Sequence, residues 1–125
     1  MNGLILFAHG ARDSRWAAPF EAVAARIGAL RPGSRVQLAF LEFMLPTLPE
    51  AASQLVAAGY THIQVLPLFL GTGGHLRRDL PLLMDTLRAA HLTATFTLRT
   101  AAGETDTVID ALAAVAVVHL DTADA

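Results

Sequence analysis

Residues 3–8, Gly-Leu-Ile-Leu-Phe-Ala, are apolar at every position, the pattern of a strand whose two faces are both covered. From residue 16 the period changes. Trp16, Phe20, Val23, Ile27 and Leu30 recur at three- and four-residue steps, which predicts a helix ended by Arg31-Pro32-Gly33. Residues 35–41 alternate Val36, Leu38 and Phe40 with smaller or more polar side chains, a second strand. Thr47-Leu48-Pro49-Glu50 has the form of a capping box, and Gly59 is placed to end that helix in the left-handed conformation. Residues 62–70 read as a third strand, apolar on both faces towards its end. Gly-Thr-Gly-Gly-His, 71–75, reads as a loop, and Asp79-Leu80-Pro81 as the opening of a helix with Leu80, Leu83, Met84 and Leu87 on one face. Residues 93–98 alternate threonine with Ala94, Phe96 and Leu98, a fourth strand with one less buried face. A last helix covers about residues 106–118, and the alanine-rich tail beyond it is expected to fray.

Four strands each followed by a helix predict an α/β domain: a parallel sheet with helices on both faces. The two double-sided apolar strands, first and third, belong in the centre and the other two at the edges. The expected order is therefore 2-1-3-4, in a single domain over residues 1–125 without linker or internal repeat.

Composition narrows the chemistry. The chain is 54% hydrophobic and 16% charged, yet no apolar run reaches the ~20 residues that span a bilayer. The N-terminus lacks the basic segment and cleavage pattern of a signal peptide, so a cytoplasmic location without membrane attachment is expected. There is no cysteine, so any metal ligand is histidine or carboxylate. A net charge of −2 argues against nucleic acid as a partner. All nine cationic side chains are arginine, which excludes a Schiff-base or P-loop lysine.

In open parallel sheets, ligands bind beyond the carboxyl ends of the strands, where strand order reverses. Here that crevice lies between the first and third strands. His9 ends the first strand, Glu42 ends the second, and His75 closes the glycine loop after the third. Two imidazoles and a carboxylate suit a borderline divalent metal with coordination positions left open. Each also has an ordinary reading: a polar strand cap for His9, a solvated loop side chain for Glu42, a flexible connection or anion site for the glycines. Gly73 and Gly74 would let the backbone approach a ligand closely, but the loop lacks the G-x-G-x-x-G dinucleotide spacing. Arg12 and Arg15 follow His9, and Arg77 and Arg78 follow His75, cations suited to a substrate bearing several carboxylates. His62, His91 and His119 read as structural, and none of Ser14, Ser34 and Ser53 stands in a nucleophile elbow.

The segments LILFAHGARDSRWAAPFEAVAARI and VQLAFLEFMLPTLPEAASQLVAAGYTHIQVLPLFLGTGGHLRRDLP resemble the small sirohydrochlorin chelatases, the short branch of the ATP-independent class II chelatases. The likeness covers about residues 3–91, with both histidine motifs in register. It implies a chelatase-like α/β fold, insertion of Co2+, Fe2+ or Ni2+ into sirohydrochlorin, and a homodimer that supplies what longer relatives carry as two domains. The metal is then a substrate, with no permanent cofactor, and the product feeds cobalamin or sirohaem synthesis. Carried over, His9 and His75 are the metal-binding and catalytic histidines, and Glu42 is the acidic residue assisting them. The arginines would hold peripheral carboxylates. Leu70 and Phe43 would contact the macrocycle face, although a hydrophobic core would accept both. Residues 99–112, RTAAGETDTVIDAL, depart from the pattern by lacking a Leu-Gly and a His-Pro. A metal or tetrapyrrole carrier without turnover, and a small metal-dependent hydrolase, use the same ligand types and stay open.

Overall fold

The computed structural model describes residues 1–121. Along the chain come β1 (Asn2–Ala8), α1 (Ala18–Leu30), β2 (Arg35–Phe40), α2 (Leu48–Ala57), β3 (His62–Pro67), α3 (Gly74–Ala90), β4 (Thr95–Leu98) and α4 (Asp106–Val117). Short 3-10 turns stand at Ser14–Ala17, Ala102–Glu104 and Val118–Leu120. The four strands pair in parallel in the order β2-β1-β3-β4, so β1 and β3, the strands read as apolar on both faces (β3 towards its end), are the central ones. Ile5 lies between Gln37 and Val65, which fixes the register of the central pair.

The core is one-sided. Ile5 and Phe7 of β1 and Ile63 and Val65 of β3 pack with Leu55 of α2, Leu80, Met84 and Leu87 of α3, and Phe96 of β4. Each large apolar side chain fully buried there is worth about 1.5–3 kcal/mol. The opposite face holds a smaller cluster of Ala8, Ala17 and Phe40, bordered by Trp16 and Phe20 with ring centroids 4.5 Å apart. Neither α1 nor α4 contains a buried residue. The periodic apolar face expected for α1 is thus only partly used: Leu30 is 83% exposed, and a groove of about 440 Å³ lined by Leu4, Ile27, Leu30 and Val36 lies open beside it.

Local signals explain most boundaries. Thr47 Oγ1 accepts the Glu50 N–H at 3.3 Å, and Gly59 has φ +95°, so α2 begins and ends on the residues that the sequence marks. Thr95 and Thr97 of β4 are exposed while Phe96 is buried, as the alternation requires. Two boundaries differ by three residues or more. β3 stops at Pro67 rather than residue 70, because proline offers no N–H and β1 itself ends at Ala8; one last bond, Leu68 N–H to Phe7 O at 2.8 Å, precedes the departure. α3 starts at Gly74, five residues before the expected opening. Gly73 caps it in an extended conformation, the Arg77 N–H reaches Gly73 O at 3.0 Å, and Pro81 falls inside the helix instead of at its start. His75, Arg77 and Arg78 therefore belong to a helix rather than to a loop. The tail expected to fray extends into residues 122–125, which lie outside the described residues.

Candidate functional site

β1 hands its chain directly to His9, and the neighbouring strand is stitched to that exit. The Leu41 N–H donates to Ala8 O at 2.9 Å and the Glu42 N–H to His9 O at 3.0 Å, so parallel pairing continues to the two candidate residues. Gly10 then turns away at φ +88°, and a Cβ there would lie 1.9 Å from Glu42 O. Only glycine meets both demands at once. The His9 imidazole is exposed to solvent and rests on Phe69, ring centroids 4.3 Å apart and planes 33° apart; Phe69 is buried and also meets Phe7 at 6.0 Å. Phe69 thus joins the site to the core, a role its sequence context, an apolar residue near a strand end, did not reveal.

His75 lies exposed in the first turn of α3, just beyond the chain that leaves β3. Glu42 is exposed beyond β2, and Phe43 follows it with φ +66°, a left-handed conformation uncommon for a bulky residue. The Phe43 ring is 58% exposed and carries the Arg12 guanidinium 4.9 Å from its centroid, while Leu70 is 71% exposed. Neither apolar side chain is taken up by the core, so the edge bearing both histidines also presents open hydrophobic surface.

The other arginines hold local partners. Arg15 forms an ion pair with Asp13 at 2.8 Å, and its guanidinium holds the Asp13 carboxyl below the ordinary value. Arg77 donates from Nε to Thr72 O at 3.2 Å and lies 3.9 Å from Glu104; Arg78 Nε donates to Gly74 O at 3.3 Å. Exposed pairs of this kind contribute little to stability and exchange readily for another anion. A Cβ on Gly73 or Gly74 would meet no protein atom within 4 Å, so neither glycine is required by packing.

His9, Glu42 and His75 therefore share the carboxyl edge of the sheet, as strand order predicts. They are not drawn into one enclosed centre: among the described residues no three His, Asp or Glu form a group able to hold a metal ion. His62 stands at the opposite end, its Nδ1 3.1 Å from Thr61 Oγ1, and His91 caps α3 with Nε2 3.3 Å from Ser53 Oγ. Among the described residues no helix is long and apolar enough to cross a membrane.

Fold and edge together define a small α/β domain with a four-stranded parallel sheet that exposes two histidines and a carboxylate beyond the carboxyl ends of its strands. The chain belongs to the CbiX family, whose sequence profile matches residues 3–117. It is 40% identical over 84 residues to the sirohydrochlorin cobaltochelatase of Saccharolobus solfataricus strain P2, a match covering 67% of this chain and 64% of that relative. The chain thus spans less than two thirds of that relative's length. A CbiX protein from Marinobacter aquaeolei VT8 superposes with a TM-score of 0.85 at 30% identity, covering 97% of this chain and 98% of the other. The sirohydrochlorin chelatase SirB of Bacillus subtilis subspecies spizizenii, solved in complex with cobalt, shares the fold with a TM-score of 0.72 at 24% identity, over 90% of this chain and 48% of SirB. The chelatase-like α/β fold implied by the sequence resemblance is the fold observed.

Proposed function

We propose that the chain is a sirohydrochlorin chelatase that inserts a divalent metal, Co2+ foremost, into sirohydrochlorin without ATP, in the cytoplasm and towards cobalamin or sirohaem. The observation that carries this reading is the open carboxyl edge, where exposed His9 and His75 share one sheet edge with exposed Phe43 and Leu70. Family membership and the likeness to a relative named sirohydrochlorin cobaltochelatase support it. Fe2+ and Ni2+ are the competing metals, since histidine and carboxylate ligands accept all three.

Metallation removes two pyrrole N–H protons, strips water from the cation and forms the metal–nitrogen bonds. A neutral imidazole can donate its lone pair to the cation or accept a proton, and its pKa lies near neutrality. His9 and His75 hold the metal at the macrocycle and, as it passes into the ring, their freed lone pairs take up the two pyrrole protons, the two acting as a pair rather than with a fixed division of labour. Glu42 adds negative charge that favours both cation capture and proton loss. Arg12, Arg15, Arg77 and Arg78 hold peripheral carboxylates, the paired ones by exchanging their present anions. The open space above Gly73 and Gly74 lets the ring approach the backbone. An incomplete ligand set suits a metal that is substrate and must leave with the product.

The working form in this reading is a homodimer joined through the layer of α1 and α4. Ile109, Leu112 and Val115 of α4 are all exposed, and a helix apolar on most sides is ordinarily covered by another element. Leu112→Glu is expected to shift the chain from dimer to monomer in sedimentation equilibrium. A wild-type chain that sediments as a monomer removes this part of the reading.

The activity itself is tested by anaerobic incubation with sirohydrochlorin and Co2+, Fe2+ or Ni2+, following the absorption spectrum. Turnover faster than the uncatalysed reaction is expected with Co2+. No acceleration with any metal overturns the proposal, and binding that stops at one equivalent identifies a carrier instead.

A further inference from the structure

The segment between β3 and α3 carries Phe69 near its start and leads into His75 in the first turn of α3, and little of its own packing holds it. A Cβ on Gly71, Gly73 or Gly74 would meet nothing within 4 Å. What fixes it comes from the 3-10 turn after β4, in the stretch that departs from the chelatase pattern. The Gly103 N–H donates to Phe69 O at 2.8 Å, and the two backbones lie so close that a Cβ on Gly103 would sit 2.2 Å from Leu70 Cα and 2.3 Å from Leu70 O. The next residue, Glu104, accepts the Thr72 hydroxyl at 3.3 Å and lies 3.9 Å from Arg77, which in turn donates to Thr72 O at 3.2 Å. Gly103 thus secures the Phe69 end and Glu104 secures the Thr72–Arg77 end, with His75 between Thr72 and Arg77 in the chain.

We infer that Gly103 and Glu104 are positioning residues that set the His9–His75 pair. The turn acts on His9 through the Phe69 ring stacked on it at 4.3 Å, and on His75 through the first turn of α3. This rests on the reading that the two histidines handle the metal, although the clamp itself is a property of the ligand-free chain. Glycine at 103 is required by close approach of two backbones. Glu104 ties the glycine-containing end of this loop, which would otherwise be free to adopt several conformations.

Two measurements on the full chain separate the clamp from the metal reading. The first is the histidine side-chain NMR spectrum without metal. Glu104→Ala at an exposed position and Thr72→Val at a half-buried one are expected to move the resonances of His9 and His75 and leave those of His62 and His91 in place. Gly103→Ala adds a stronger test where it folds. The second is Co2+ titration: Glu104→Ala is expected to weaken binding about tenfold, the low end for residues that orient metal ligands, and Glu104→Gln, which keeps an acceptor for Thr72, to recover part of it. Unmoved His9 and His75 resonances in the folded Glu104→Ala and Thr72→Val chains overturn the clamp. Wild-type Co2+ affinity in a His9→Ala, His75→Ala double variant overturns the metal reading, and the spectra then judge the clamp alone.

Discussion

His9→Ala is expected to slow Co2+ insertion into sirohydrochlorin by about 10²–10⁴-fold, and His75→Ala by a similar factor, the range for loss of a positioned proton acceptor. The two effects should be far from additive, because a metal held by one imidazole has already lost the pair geometry. Neither change removes core packing, since both imidazoles are exposed, so the loss should appear in the rate without loss of the folded state. Glu42→Gln is expected to act more mildly, as it removes the negative charge but leaves both imidazoles and a side-chain oxygen in place. The measurement is single-turnover metallation followed by absorbance, with circular dichroism as the control. Full rate in both histidine variants would remove the site assignment even with the activity standing.

Gly10→Ala is expected to be among the most damaging single-methyl additions in the chain. The left-handed backbone alone costs an alanine about 1–2 kcal/mol. The added Cβ would also fall 1.9 Å from Glu42 O, so the chain at Glu42, whose N–H donates to His9 O, would have to shift. The denaturation midpoint should therefore drop at nearly constant slope, together with the metallation rate, because the same carbonyl region orients His9 and Glu42. Gly28→Ala in α1 is the contrasting control. Its Cβ would meet nothing within 4 Å, and alanine is favoured over glycine in a helix by about 1 kcal/mol, so that variant should be no less stable than the wild type. Equal stability of the two variants would show that the β1 exit tolerates more than its geometry indicates.

Strand order was readable because burial on two faces leaves an unbroken apolar run, and only β1 and the end of β3 show one. The capping of α2 was readable because Thr47, Glu50 and Gly59 act on their own neighbours. The start of α3 was not. Pro81 resembles a first-turn proline, and nothing local announces that Gly73 and Gly74 open the helix seven residues earlier. The carboxyl edge with His9, Glu42 and His75 followed from topology, but its supporting parts did not. Phe69 beneath His9, and Gly103 against Leu70, are contacts between segments far apart in sequence, and such contacts leave no periodicity to read. Phe43 and Leu70 were ambiguous for the opposite reason: an apolar side chain reads alike whether it fills a core or lines an open edge, and only the fold decides between them.

The one-sided core also divides the molecule by how readily its parts open. α4 and the C-terminal half of α1 bury no side chain fully, whereas β1 and β3 are sealed beneath α2 and α3. In the single chain, transient openings of low free energy are expected in the outer layer, whose amide hydrogens should exchange with solvent before those of the central strands until a partner covers it. His9 and Phe69 extend from the two most buried strands, β1 and β3. The outer helices can therefore loosen and close again while the two rings at the carboxyl edge stay in register.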